Sequence, residues 1–292
     1  TCCLSKIAER FVRSLILDHF SLNNLFCRSK NGFLPGRSTT TALAPFFHDC
    51  YAAFETGKFV DIVYVDFSKA FDMVPHDLLL LKLKSYGICG PLLNWVRDFL
   101  SSRSFKVNVN GSLSPSVAVK SGVPQGSCLG PLLFAIYIND LPSVFSTDIQ
   151  CSLYADDLKL YSFSNPRALK RALRCLEEWS STWGLPVSAP KTLVMHTGRN
   201  NPKVDFCLNG SVISKVSIVK DLGVTYDDRL SFESHGFPLQ VSQSPLAPFR
   251  MLCSSSPRVL LCDLVTFYVL PVIVCSLNPC KSNISNLSSN AV

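Results

Sequence analysis

Ile149-Gln-Cys-Ser-Leu-Tyr154-Ala155-Asp156-Asp157-Leu-Lys-Leu-Tyr-Ser-Phe163 carries the reading on which the fold turns. Apolar residues lead into a tight turn that holds two adjacent carboxylates, and apolar residues lead out. This is the pattern of a β-hairpin with its acids at the tip. Neighbouring strand residues face opposite ways, so two consecutive aspartates inside a strand would send one into the core. At a turn both reach solvent, or a hard divalent cation that takes oxygen ligands. The tetrapeptide alone fits a surface Asp-Asp turn equally well, because Asp suits turns for local hydrogen-bonding reasons.

A second acid changes that balance. Asp61-Ile-Val-Tyr-Val-Asp66 is a short β-rich run ending on a carboxylate, well placed to point from a rigid sheet into a cleft. If adjacent strands bring Asp66 to Asp156 and Asp157, the like charges need cations to persist together. Two magnesium ions would neutralise them, activate a hydroxyl and hold a leaving phosphate oxygen. No P-loop, H-E-x-x-H or nucleophile-elbow pattern competes with this chemistry.

Before these acids, residues 4–20 place Leu4, Ile7, Phe11, Leu15 and Ile16 near helical spacing, with Lys6, Arg10 and Arg13 on a solvated face. Asn31-Gly-Phe-Leu-Pro-Gly-Arg37-Ser-Thr39 is a Gly/Pro loop ending in an N-cap candidate, and a helix is expected over 40–56. Phe67 to Pro75 reads as a helical turn stopped by proline, followed by helices over 77–86 and 91–102. Ser104 to Ser112 alternates around an Asn110-Gly111 turn, and Val117 and Val119 lie on the return strand. Ser121-Gly-Val-Pro-Gln-Gly-Ser-Cys-Leu-Gly-Pro131 packs three glycines and two prolines into eleven residues, a shape that lets backbone approach a ligand. Its polar Gln125 is unusual in so apolar a setting, and the residues that follow read as a buried helix.

After the acidic turn, Asn165-Pro166 opens a helix that runs to about Trp183, stops at Gly184, and has Leu169, Leu173 and Leu176 as its core stripe. Lys191 precedes a strand over 192–195, while Asn209-Gly210 and residues 219–224 indicate a further small β unit. Beyond about 236 the periodicity decays. Residues 259–277 are apolar, but Asp263 and Pro271 interrupt them and the run is short for a membrane span, so no membrane role is expected.

The 292 residues suffice for one large or two small domains, and 47% hydrophobic against 17% charged residues excludes a disordered whole. A net charge of +7 suits a polyanionic partner. The thirteen cysteines form no C-x-x-C pair and no secretory signal leads the chain, so reduced thiols in an intracellular protein are expected. The chain opens on Thr1 rather than Met, which reads as a piece of a longer protein.

Together these stretches resemble the reverse transcriptase domain of non-LTR (LINE-type, jockey-like) retrotransposons. Residues 62–76 resemble that family's first palm motif, 121–134 its second and Tyr154-Ala-Asp-Asp157 its third, with Ala189-Pro-Lys191-Thr, Leu222-Gly223 and Gly32-Phe-Leu-Pro-Gly-Arg-Ser38 resembling later and earlier segments. The resemblance covers residues 4 to about 235 and implies an α+β right-hand polymerase palm, an antiparallel sheet backed by helices. It implies partial fingers over 1–57, a palm over 58–235 and a degenerate thumb over 236–292.

It further implies Asp66, Asp156 and Asp157 as ligands of two Mg²⁺ ions, with Mn²⁺ as a substitute, and Lys191 as a proton donor near the triphosphate. Phe71 would reject ribonucleotides at the sugar 2′ carbon, and Pro124-Gln125-Gly126 would pack on the nascent base pair. Phe67, Arg37, Leu222 and Gly223 complete the implied substrate contacts, with Lys69, Lys82 and Lys84 as candidate phosphate-backbone contacts. The implied activity is RNA-directed DNA synthesis from an RNA template, a DNA primer and deoxynucleoside triphosphates, in nucleus and cytoplasm. The family's basic finger segment would precede position 4, so a truncated enzyme is expected. Alternatives are an inactive nucleic-acid-binding remnant, a maturase- or telomerase-like palm enzyme, and a structural or membrane-associated protein.

Overall fold

The computed structural model describes residues 3–233. The thumb expected over 236–292 and the apolar run over 259–277 lie outside the described residues. In chain order the elements are α1 (Cys3–Leu22), α2 (Thr39–Glu55), β1 (Val60–Val65), α3 (Ala70–Met73), α4 (His76–Ser85), α5 (Gly90–Leu100), β2 (Ser104–Phe105), β3 (Asn108–Val109), β4 (Ser112–Leu113) and β5 (Val117–Ala118). Then follow α6 (Gly130–Tyr137), β6 (Gln150–Tyr154), β7 (Asp157–Phe163), α7 (Pro166–Trp183), β8 (Leu193–Thr197), β9 (Cys207–Leu208), β10 (Ser211–Val212), β11 (Ser214–Lys215), β12 (Ile218–Asp221) and β13 (Val224–Asp227).

Five strands form the central sheet in the order β11-β8-β1-β7-β6, with β1 in the middle. β1 pairs antiparallel with both β7 and β8, β6 pairs antiparallel with β7, and only β11 runs parallel to its neighbour. Strand alternation then sorts the side chains. Val63, Val65, Leu158, Leu160 and Val194 join a large core with α1 and α4–α7. Val60, Ile62, Tyr161 and Met195 face the other way, into a second core with α2 and the β12–β13 hairpin. The sheet is therefore covered by helices on one face and by one helix and one hairpin on the other. This is the expected α+β palm.

Local chemistry sets several boundaries. Ser38 and Thr41 form a capping box at the start of α2, exchanging side-chain and backbone hydrogen bonds. Asn165 caps α7 through the Ala168 N–H at 3.1 Å, and Gly184 ends it in the left-handed region at φ +62°. Asn110 and Gly111 both take positive φ, as the two-residue turn between β3 and β4 requires.

The helix α1 departs from its expected orientation. Ile7, Phe11 and Leu15 are 63, 66 and 42% exposed, whereas Val12, Ile16 and Phe20 are buried. Glu9 lies on the same stripe and is fully buried. Its carboxylate accepts the N–H groups of Cys128 at 2.6 Å and Leu129 at 3.4 Å, donors left unpaired ahead of α6. Turning Glu9 inward to satisfy them turns Ile7 and Phe11 outward.

The expected cost of Glu9→Ala is about 1–3 kcal/mol of stability, because buried N–H groups lose their acceptor. Ile7→Ala, on the exposed face, should change stability by less than about 0.5 kcal/mol. Urea unfolding of both variants checks this; the reverse ranking would contradict the orientation of α1.

Candidate active site

Val65 lies opposite Leu158 in the β1–β7 ladder, so Asp66, the next residue of the chain, stands at the strand end beside the start of β7. Tyr154 pairs with Asp157 across the β6–β7 hairpin, which leaves Ala155 and Asp156 as its two-residue turn. Ala155 has φ +56°, the positive value that such a turn takes. Register and turn thus bring the three acids together at one end of the strands. By alternation, Asp66 shares a face with Ile62 and Tyr64, and Asp157 with Lys159 and Tyr161. That is the face covered by β12–β13. The cleft between sheet and hairpin is lined by Tyr64, Asp66, Asp157, Lys159, Lys191, Asp221 and Leu222, among others.

The electrostatics fit this crowding. The Asp157 carboxyl is pushed up to about 6, first by desolvation and then by the charges of Asp156, Asp221 and Asp66. Its carboxyl is nevertheless exposed by area, so salt screens part of that repulsion. The Asp156 carboxyl is also raised, by desolvation and by Asp66. Asp66 Oδ1 is buried without a hydrogen-bond partner among the described residues, and Lys191 Nζ stands 3.8 Å from it. Three hard oxygen donors and an orphaned carboxylate oxygen suit a divalent cation of the magnesium class. Among the described residues no three such side chains close on one point, so the cation would have to gather them.

A second wall comes from α3 and the glycine-rich loop. The Phe71 ring stacks on Phe134 with centroids 4.3 Å apart and meets the edge of Phe33 at 5.9 Å. The loop is tied to it: Val123 N–H donates to Phe71 O at 2.8 Å, and Gln125 Nε2 donates to Asp72 Oδ1 at 2.8 Å. Gly122 is required where it stands, since it has φ +90° and a Cβ there would lie 2.8 Å from the Asp72 backbone. The segment before α2 reaches the acidic turn as well. Asn31 N–H donates to Leu153 O at 2.7 Å, and a Cβ at Gly32 would sit 2.9 Å from Ala155 Cα.

Of the residues singled out in the sequence, Asp66, Asp157, Lys191 and Leu222 line one cleft, with Asp156 and Gly223 at turns beside it. Phe71, Pro124, Gln125 and Gly126 belong to the second wall. Two others are placed differently. Phe67 is 4% exposed and packs edge-on against Trp179, so its backbone alone can meet a ligand. Arg37 lines a different depression, with Leu34, Tyr86 and Asp140.

Lys82 is placed differently too, because it is buried rather than on a phosphate-contacting face. Its ammonium bonds Asp140 at 2.5 Å and lies 3.6 Å from the Trp183 ring centroid, and burial pushes its pKa down to about 8. Lys69 and Lys84 are exposed. Sequence reading missed Lys159 and Asp221, a buried ion pair in the cleft, and Phe33, the third ring at Phe71. The position of Lys159, two residues beyond Asp157 on a strand, was the available signal.

Comparison with known proteins supports this architecture. Residues 1–226 match the family described as "Reverse transcriptase (RNA-dependent DNA polymerase)". The chain is 32% identical over 246 residues to a Drosophila melanogaster protein named "Probable RNA-directed DNA polymerase from transposon BS", covering 80% of this chain and 27% of that one. It is 29% identical over 251 residues to the "RNA-directed DNA polymerase from mobile element jockey" of Drosophila funebris, covering 82% and 27%. The chain thus spans about a quarter of the length of these relatives. Among solved structures, telomerase from Candida tropicalis bound to a fragment of telomeric RNA superposes with a TM-score of 0.58 at 14% identity, over 85% of this chain and 40% of that one. That likeness shows a shared fold.

The raised Asp157 carboxyl sets a pH dependence. Between about 4 and about 6 the folded protein holds a proton that the unfolded chain has released, so stability should fall as pH rises through that window. Urea unfolding in a chelator should show this decline, and Asp157→Asn should flatten it; an unchanged slope would refute the crowding.

Proposed function

The chain belongs to the reverse transcriptase (RNA-dependent DNA polymerase) family, and we propose that it is the palm-centred part of a longer retrotransposon polymerase that extends a DNA primer along an RNA template. The observation that carries this reading is the meeting of Asp66, Asp156 and Asp157 at one end of the sheet's strands, with Asp66 Oδ1 buried and without a hydrogen bond among the described residues. These three carboxylates would hold two Mg²⁺ ions. When bound, such ions lower the pKa of a primer 3′-hydroxyl and neutralise charge on the departing pyrophosphate.

The chain's own residues supply the rest. Lys191, 3.8 Å from Asp66 Oδ1 and largely exposed, can swing toward a triphosphate and hand a proton to the leaving group. Phe71, fixed between Phe33 and Phe134, presents a rigid ring where a ribose 2′-hydroxyl would have to fit. The loop carrying Pro124, Gln125 and Gly126 is held by Asp72 and by Glu9, and would pack against the nascent base pair. Leu222 and Gly223, at the tip of the β12–β13 hairpin, would steady the primer end over the acids. The exposed Lys69 and Lys84 suit the phosphate backbone. The chain would work wherever its template RNA resides, in nucleus or cytoplasm.

Primer extension on a primed RNA template with Mg²⁺ and deoxynucleotides tests the reading. Extension is expected from the parent chain and should be lost in Asp156→Asn. Phe71→Ala should raise ribonucleotide use relative to deoxynucleotide use by about tenfold or more. Template binding with no extension would instead indicate a nucleic-acid-binding remnant, and equal extension by Asp156→Asn would exclude the acids as the site.

A further inference from the structure

Lys159 lies two residues beyond Asp157 on β7, so strand alternation gives both side chains the same face. Both line the cleft. Lys159 is 5% exposed, and its ammonium lies 3.9 Å from the Phe46 ring centroid and 5.7 Å from that of Tyr64. Its ion-pair partner is Asp221, the last residue of β12, 62 positions later. Asp221 Oδ2 also accepts the Tyr226 hydroxyl at 2.7 Å, and that hydroxyl lies 2.9 Å from the hydroxyl of Tyr64 on β1. The network therefore spans four strands, β7, β12, β13 and β1, and Leu222-Gly223 follows directly on Asp221.

A buried ammonium seeks a carboxylate. Asp221 takes the Lys159 ammonium from across the cleft, and Asp157 is the carboxylate on the same face of its own strand. Residues two apart on a strand are separated by roughly 7 Å, which a lysine side chain can bridge. An ammonium seated on Asp157 would occupy the oxygens that a divalent cation needs.

We propose that Asp221 is a positioning residue: by holding the Lys159 ammonium across the cleft, it keeps the Asp157 carboxylate free for a divalent cation. This rests on the reading of Asp66, Asp156 and Asp157 as cation ligands. The same ion pair holds the end of β12, next to the hairpin tip, in the cleft that the acids line.

The test is Mn²⁺ binding to the full chain, followed by electron paramagnetic resonance, with circular dichroism confirming the fold of each variant. Parent binding that is lost in Asp66→Asn provides the reference. Asp221→Asn should weaken Mn²⁺ binding by about 10–100-fold, the range for losing a partner one step removed from a metal. Lys159→Met added to Asp221→Asn should restore binding to within about threefold of the parent, a rescue that general loss of structure does not produce. Unchanged affinity in Asp221→Asn, or weakening that Lys159→Met does not relieve, would overturn the proposal.

If Asp221→Asn fails to fold, Lys159→Met alone decides: binding at or above the parent level supports the proposal, and weaker binding overturns it. A parent chain that binds no Mn²⁺ would overturn the cation reading itself, and the proposal with it.

Discussion

Val65 faces Leu158 in the pairing of β1 with β7, and that register decides which side of the sheet every acid serves. A slip of one residue would reverse the faces of a whole strand. Asp157 and Lys159 would then project among Val63 and the helices, and Leu158 and Leu160 into the cleft. The register is held by burial on both faces: Ile62 and Tyr161 in one core, Val63 and Leu160 in the other. Each such side chain contributes about 1.5–3 kcal/mol by leaving water. Carboxylates that repel one another are thus held together by apolar packing a few residues away.

The hairpin β12–β13 closes the same face, and its attachment mixes apolar and ionic contacts. Val219, Val224 and Tyr226 pack with Phe46 and Phe47 of α2, while Asp221 takes Lys159. Desolvating two charges offsets most of the attraction between them, so the pair adds little net stability. Losing one partner is different, costing about 3–5 kcal/mol because an unpaired charge stays buried. The pair therefore specifies position: it allows the hairpin one seat on the sheet. A parallel case is Lys82 with Asp140, enclosed by Tyr137, Trp179 and Trp183, which fixes α4 against α6 and α7.

Much of this was legible in the residues because its causes are local. Asn165-Pro166 and Gly184 mark the ends of α7 by capping chemistry, and Asn110-Gly111 and Asn209-Gly210 mark turns by their positive φ. Asp156 and Asp157 declared a hairpin tip by the apolar runs on either side. What escaped depends on partners far along the chain. Glu9 is buried because of N–H groups at 128 and 129, which no periodicity in α1 reveals. Lys82 offers itself as a phosphate contact until Asp140 is placed beside it, and nothing local marks Lys159 as the buried partner of Asp221. Arg37 sits in a recognisable loop, and that loop places it in a depression with Leu34, Tyr86 and Asp140.

Asp66, Asp156 and Asp157 are held close together at one end of the strands of the palm sheet. Crystals of the chain grown with Mn²⁺, with data collected at the manganese absorption edge, test it most directly. An anomalous peak is expected between the three carboxylates, with ligand distances of about 2.1 Å, close to those magnesium takes. Clear density for all three acids with no manganese among them would contradict it.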